Sequence, residues 1–124
     1  MSTTPDVVVL REGTVELSMG AYAAALRERL PDRTVELART PKQERELIRD
    51  ARVVTGTDVD PDLVDDASNL QFFACTFAGT DHLAVDELTA RGVAVTNASG
   101  VHAPGIAEQS IGNMLVFARR LHEA

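Results

Sequence analysis

Five short strand-like runs recur along the chain, each followed by a stretch of helical periodicity, and this alternation restricts the fold more than any other feature. Asp6-Val-Val-Val-Leu10 is the first run and has the character of a buried strand. Ser18 to Leu30 sets Met19, Tyr22, Ala23, Leu26 and Leu30 at helical spacing, and Pro31 stops it. Thr34 to Ala38 alternates through Val35 and Leu37 as a second strand. Thr40-Pro-Lys-Gln43 joins a threonine cap to a proline at the first helical position, which predicts a helix to about Asp50. Arg52 to Thr55 is the third strand, and Asp60-Pro61 opens a short helix carrying Leu63, Val64 and Ala67.

Leu70 to Thr76 is the fourth strand, apolar on both faces as a central parallel strand requires. Asp81 is expected to cap a helix with Leu83, Leu88 and Val85 inside, closed by a left-handed glycine at Arg91-Gly92. Val93 to Thr96 is the fifth strand. Pro104 opens a last helix with Ala107, Ile111, Met114, Leu115, Ala118 and Leu121 on one side, and no cap or stop is evident before the final residue. Strands alternating with helices predict an α/β fold, a doubly wound flavodoxin-like parallel sheet of five strands in the order 2-1-3-4-5, with helices on both faces. Ligands of such sheets sit outside the carboxyl ends of the strands, so the loops after Leu10, Thr55, Thr76 and Thr96 are where function is expected.

Composition narrows the functional classes. The net charge of −7 excludes a general nucleic-acid binder. No apolar run approaches the ~20 residues that span a bilayer, and Met1 to Asp6 lacks a signal-peptide pattern, so a cytoplasmic protein without membrane contact is expected. Lys42 is the only lysine among twelve basic residues, while nineteen acidic residues are spread along the chain. Carboxylate-dense, lysine-poor surfaces suit a high-salt cytoplasm, and a halophilic origin is preferred over the alternative of a GC-rich genome. Cys75 is alone, so neither a disulfide nor a cysteine zinc cage can form within the chain, and a buried, inert thiol is expected.

The loops discriminate further. Arg11-Glu-Gly-Thr-Val-Glu-Leu17 is too poor in Gly, Ser and Thr for a flavin phosphate loop. A phosphoryl-receiver domain would need an acidic pair after strand one and a lysine after strand five, and neither is present. Cys75-Thr-Phe-Ala-Gly-Thr-Asp-His82 offers consecutive N–H groups ahead of a helix, a nest able to bind a carboxylate without a charged side chain, or else an ordinary strand-to-helix turn. Gly79 in that loop is expected to hold a backbone conformation that only glycine reaches cheaply. His82, His102 and His122 have no metal-ligand spacing, which leaves packing or hinge roles and no metal.

Four segments in order carry a resemblance: Phe77-Ala-Gly-Thr-Asp81, Arg91-Gly-Val-Ala-Val-Thr-Asn97, Ile106-Ala-Glu108 and Ala118-Arg-Arg120. Together they resemble the D-isomer-specific 2-hydroxyacid dehydrogenases, with their G-x-D loop, "G-I-x-V-x-N" strand, "V-A-E-H" helix start and "L-x-x-x-R" helix. The resemblance implies an oxidoreductase that reduces 2-oxo acids to D-2-hydroxy acids with NAD or NADP, built from two doubly wound domains. Residues 1–100 would then be the substrate-binding domain, and 101–124 the hinge and the start of a helix crossing into a nucleotide-binding domain absent from this sequence. No G-x-G-x-x-G occurs, and the family's catalytic arginine, glutamate and histidine fall beyond the last residue. No catalytic or cofactor-binding residue is therefore assigned, and the chain alone is expected to be inactive and to bind no cofactor.

What the resemblance does carry over is substrate binding. Backbone N–H groups of Phe77, Ala78 and Gly79 match the loop that holds the substrate carboxylate. Thr55 and Gly56 match the loop after strand three, where some members place a basic residue. Its absence argues against a substrate with a second strong anion. Val101 and His102 match hinge contacts, His102 standing where formate-type members have asparagine, and Gln109 departs from the usual histidine after Ala-Glu. The expected partners are a small 2-oxo or 2-hydroxy acid and a second copy of the chain, since Met114, Leu115, Phe117 and Leu121 would lack cover. The alternative is a free-standing α/β domain that binds a carboxylate ligand or a protein partner without catalysis.

Overall fold

The computed structural model describes residues 3–123. Its five strands, β1 (Val7–Val9), β2 (Val35–Leu37), β3 (Val53–Gly56), β4 (Phe72–Cys75) and β5 (Ala94–Thr96), form one parallel sheet in the order β2-β1-β3-β4-β5. Between them run α1 (Met19–Arg29), α2 (Pro41–Ile48), α3 (Pro61–Asp66) and α4 (Val85–Ala90), and α5 (Ala103–Ala118) follows β5. The expected doubly wound topology is the observed one. The outward crossover from β1 in both directions puts the topological switch between β1 and β3, with every strand's carboxyl end on one edge.

Side-chain alternation along the strands divides the core in two. Val8, Leu10, Val54, Phe73 and Cys75 face α2, α3 and α4, where they meet Ile48, Leu63, Val64 and Leu88. Val9 and Val35 face α1 and meet Met19 and Ala23. Phe73 is fully buried at the centre of the larger half, so truncating it to alanine would cost about 3–5 kcal/mol.

Local chemistry explains most boundaries. Ser18 accepts from Ala21 N–H and starts α1, and Thr40 accepts from Gln43 N–H and starts α2. Gln43 returns a bond to Arg39 N–H at 2.8 Å, which secures the entry to α2. This helix ends at Ile48, short of Asp50. Gly92, at φ +77°, closes α4 in the left-handed conformation expected of it.

Two expectations fail. Asp81 does not cap α4: a turn from Thr80 to Leu83 intervenes, and the helix begins at Val85 with no side-chain cap. The last helix does have a stop. Arg120 adopts φ +51°, Arg119 N–H bonds Leu115 O and Arg120 N–H bonds Phe117 O, so α5 ends at Ala118 and a 3-10 turn, Leu121–Glu123, follows. That left-handed arginine costs about 1–2 kcal/mol, which is why the sequence does not announce it. As expected, Met114, Leu115, Phe117 and Leu121 lack cover, and the exposure extends to the whole of α5, of which no residue is buried, Phe117 being 70% exposed. The sheet face that carries Ala94 and Thr96 is correspondingly open.

Candidate carboxylate site

The loop from Thr76 to Ala84 leaves the carboxyl end of β4 and is fixed first from the β5 side. Asn97, just beyond β5, donates its Nδ2–H to Ala78 O at 2.7 Å, and Ala98 N–H donates to Phe77 O at 3.0 Å. These two bonds orient more than two carbonyls. In a trans peptide the C=O and the following N–H point in opposite directions. No cis peptide occurs among the described residues. Anchoring Phe77 O and Ala78 O toward β5 therefore turns Ala78 N–H and Gly79 N–H away from it, side by side. Among the described residues neither N–H has a hydrogen-bond acceptor. Two adjacent unpaired donors at the carboxyl edge of a parallel sheet are chemically suited to accept a carboxylate.

Phe77 contributes differently from its neighbours. Its N–H is directed at Cys75 Sγ, 3.4 Å away, and its ring is 43% exposed. The donor pair is thus Ala78 and Gly79, with the Phe77 ring as an apolar wall. Gly79 has ordinary, non-positive φ and open space around the position of a Cβ, which corrects the expectation of a glycine-only conformation there. Cys75 is buried as expected. Burial raises its thiol pKa, the Phe77 N–H bond lowers it in part, and the negative charge of Asp58 adds to the rise.

The loop after β3 differs from expectation. Thr55 and Gly56 are the last residues of β3 and are buried, Thr55 at 2% exposure. Alternation turns the Thr55 side chain toward α1, where its hydroxyl donates to Ala74 O at 2.8 Å and meets Tyr22 Oη at 3.0 Å. The Thr55 side chain is therefore a buried tie between α1, β3 and β4. Gly56 instead leaves room for the Leu10 side chain, since a Cβ there would lie 3.0 Å from Leu10 Cβ. The residue that reaches the cleft edge is Thr57, whose Oγ1 lies 3.2 Å from Thr76 Oγ1. Val101 and His102 are exposed at the start of α5, and no hydrogen bond joins either side chain to the Phe77–Gly79 loop among the described residues.

Asn97, Thr57 and His82 are the residues that sequence reasoning passed over. Asn97 was visible only as part of a motif, and Thr57 lies two residues beyond the strand end, Thr55, expected from the sequence. His82 had been given a packing role without a partner; its Nε2 lies 2.8 Å from Thr57 O.

A second cleft, of about 290 Å³, lies at the carboxyl ends of β1 and β3 between the starts of α2 and α3. Its two arginines are already engaged: Arg11 pairs through Nε with Glu44 Oε2 at 3.1 Å and through Nη2 with Glu12 at 2.7 Å, and Arg45 pairs with Asp66 at 3.4 Å. Glu44, 8% exposed in its side chain, also accepts from Arg11 N–H at 2.8 Å. With Asp58 and Asp60 on the opposite wall, this cleft favours no anion. Among the described residues no cluster of His, Cys, Asp and Glu is arranged to hold a metal, and no helix is long and apolar enough to cross a membrane.

Comparison with known proteins gives this arrangement its context. The family model for the D-isomer specific 2-hydroxyacid dehydrogenase catalytic domain matches residues 11–110. A glyoxylate reductase of Thermofilum pendens is 36% identical over 90 residues, covering 68% of this chain and 26% of that protein. A D-3-phosphoglycerate dehydrogenase of Mycobacterium leprae is 36% identical over 94 residues, covering 76% of this chain and 17% of that protein. Among solved structures, a D-lactate dehydrogenase from Treponema pallidum shares the fold with a TM-score of 0.71 at 18% identity, covering 94% of this chain and 37% of that one. The chain thus spans about a quarter or less of the length of these two curated relatives.

Proposed function

This chain belongs to the D-isomer specific 2-hydroxyacid dehydrogenase family, and we propose that it is the part of such an enzyme that grips the substrate's carboxylate. The observation that carries the proposal is the pair of unpaired donors, Ala78 N–H and Gly79 N–H, turned out of the fold by the bonds from Asn97 and Ala98. A 2-oxo acid would place its carboxylate on this pair and its carbon chain along the Phe77 ring. Fixed amides bind a carboxylate without the reorganisation a flexible cation would need. Glyoxylate, the substrate named for the Thermofilum relative, is small enough for a site with one apolar wall. A phosphorylated substrate is disfavoured, because Arg11 is neutralised by two carboxylates and Arg45, the other cation at that cleft, is paired with Asp66.

The whole enzyme would reduce its 2-oxo acid to the D-2-hydroxy acid with a nicotinamide cofactor; a Staphylococcus aureus structure sharing this fold is a formate dehydrogenase in complex with NAD. The residues here do not fit that group. None of the eight glycines falls into G-x-G-x-x-G spacing. No step of hydride transfer is assigned to this chain, and residues 101–124 act as hinge and connecting helix in the proposal. The exposed apolar side chains of α5, Met114, Leu115 and Phe117 among them, support a homodimer that covers them. A monomer in sedimentation, insensitive to Phe117→Glu, would refute that part. The lysine-poor, acidic composition supports a halophilic protein. The free-standing binding-module reading is not favoured, given the family match.

Two titrations test the proposal. Glyoxylate should give a saturable heat in the millimolar range or tighter, and NADH or NADPH should give no saturable fluorescence change. Micromolar nucleotide affinity, or indifference to glyoxylate and every other small 2-oxo acid, would overturn it.

A further inference from the structure

The bonds from β5 fix only one flank of the Phe77–Gly79 loop. The other flank faces the loop that leaves β3, and there His82 is the side chain that ties the far end of the β4 loop to it. His82 Nε2 lies 2.8 Å from Thr57 O, a contact between residues 25 apart in the sequence. A carbonyl only accepts, so the imidazole carries its proton on Nε2 and donates. The same ring meets the Phe77 ring edge to face, with centroids 5.5 Å apart and an interplanar angle of 85°. Thr57 O also accepts from Cys75 Sγ at 3.4 Å, and Thr57 and Thr76 touch through their hydroxyls. His82 is itself exposed, so burial does not hold it in place; its two contacts do.

We infer that His82 is a positioning residue for the substrate site, fixing the Phe77 ring and the β3 loop at the spacing that the carboxylate donors require. The inference rests on the carboxylate reading of Ala78 and Gly79. Without the His82 bond, the β4 loop would still hang from Asn97 and Ala98, but Phe77 could swing over the donors or away from them. The hinge of that motion is the segment Thr76–Gly79. A role in packing alone would show in stability and would not depend on an N–H at this position.

The experiment compares His82→Leu, which removes the donor, with His82→Gln, whose side-chain amide can donate from nearly the same place. Three quantities are measured on the full chain: the thermal midpoint, amide hydrogen exchange at Thr76 and Phe77, whose N–H groups are bonded to Gly56 O and Cys75 Sγ, and the affinity for glyoxylate from amide shifts. The expected result is an unchanged midpoint, faster exchange and about 3- to 10-fold weaker glyoxylate binding in His82→Leu, the worth of one hydrogen bond. His82→Gln should restore both. Wild-type exchange and affinity in His82→Leu would overturn the inference, as would equal losses in both variants. Should glyoxylate fail to bind even the wild-type chain, the carboxylate reading falls, while exchange in the two variants still decides for or against the clamp.

Discussion

Asn97 and Ala78 are joined by a 2.7 Å bond from the asparagine amide to the alanine carbonyl, and this bond turns the Gly79 N–H outward by way of one rigid peptide plane. Replacing Asn97 by leucine keeps the side chain's size and deletes the donor. Because Asn97 is exposed, the folding cost should stay within about 1 kcal/mol. Glyoxylate binding should nevertheless weaken about 3- to 10-fold as the peptide plane loosens. Urea unfolding and a glyoxylate titration measure the two effects separately, and unchanged affinity would detach Asn97 from the site.

Thr55 predicts the opposite pattern. Its hydroxyl is buried between Tyr22 Oη and Ala74 O, so Thr55→Val should cost about 1–3 kcal/mol by leaving the tyrosine hydroxyl without its partner. Glyoxylate affinity should not change, since the side chain points to the α1 face. A loss of affinity with little loss of stability would return Thr55 to the binding site.

That contrast shows what the sequence could and could not convey. Apolar runs alternating with helical stretches made the five strands legible, and their order followed from the doubly wound topology that such an alternation adopts. The loop Phe77–Gly79 was legible from its motif. What failed was register: β3 runs from Val53 to Gly56, so the site begins at Thr57, and period-two alternation sends Thr55 to the other face. The Gly79 expectation failed because a glycine carries no mark of which φ it will adopt. Asp81 looked like a cap, yet a turn ahead of α4 placed it outside the helix. The α5 stripe has the right periodicity for burial, but periodicity does not say what covers it.

Asp6 should make stability acid-sensitive. The Thr34 N–H, the Thr34 hydroxyl and the charge of Arg33 hold its carboxyl below the usual aspartate range. A carboxyl depressed in the folded state stabilises above its unfolded value of about 3.9 and loses that contribution as pH falls through its folded value. Wild type and Asp6→Asn should therefore differ by a constant amount above about pH 5, with the gap closing as the pH falls through the depressed folded value. A pH series of urea midpoints checks this; a gap that widens on acidification would contradict the assignment.

Salt is the next lever. With nineteen acidic and twelve basic residues, self-repulsion opposes folding, and screening lengths contract to ~3 Å at 1 M salt. The thermal midpoint should rise between about 0.1 and 3 M KCl. A flat or falling midpoint would leave base composition of the genome as the reason for the missing lysines.

The most direct test of the carboxylate site is site-resolved. In a ¹⁵N-labelled sample of this chain, adding glyoxylate should move the Ala78 and Gly79 amide resonances downfield together, with a common midpoint. Phe77, whose N–H is directed at Cys75 Sγ, should move less. Gly79→Ala should retain the response, because its backbone φ is ordinary and a Cβ meets nothing within 4 Å. Shifts confined to residues lining the Arg11–Glu44 cleft, or no shift at Ala78 and Gly79 at any glyoxylate concentration, would contradict the site proposed for this chain.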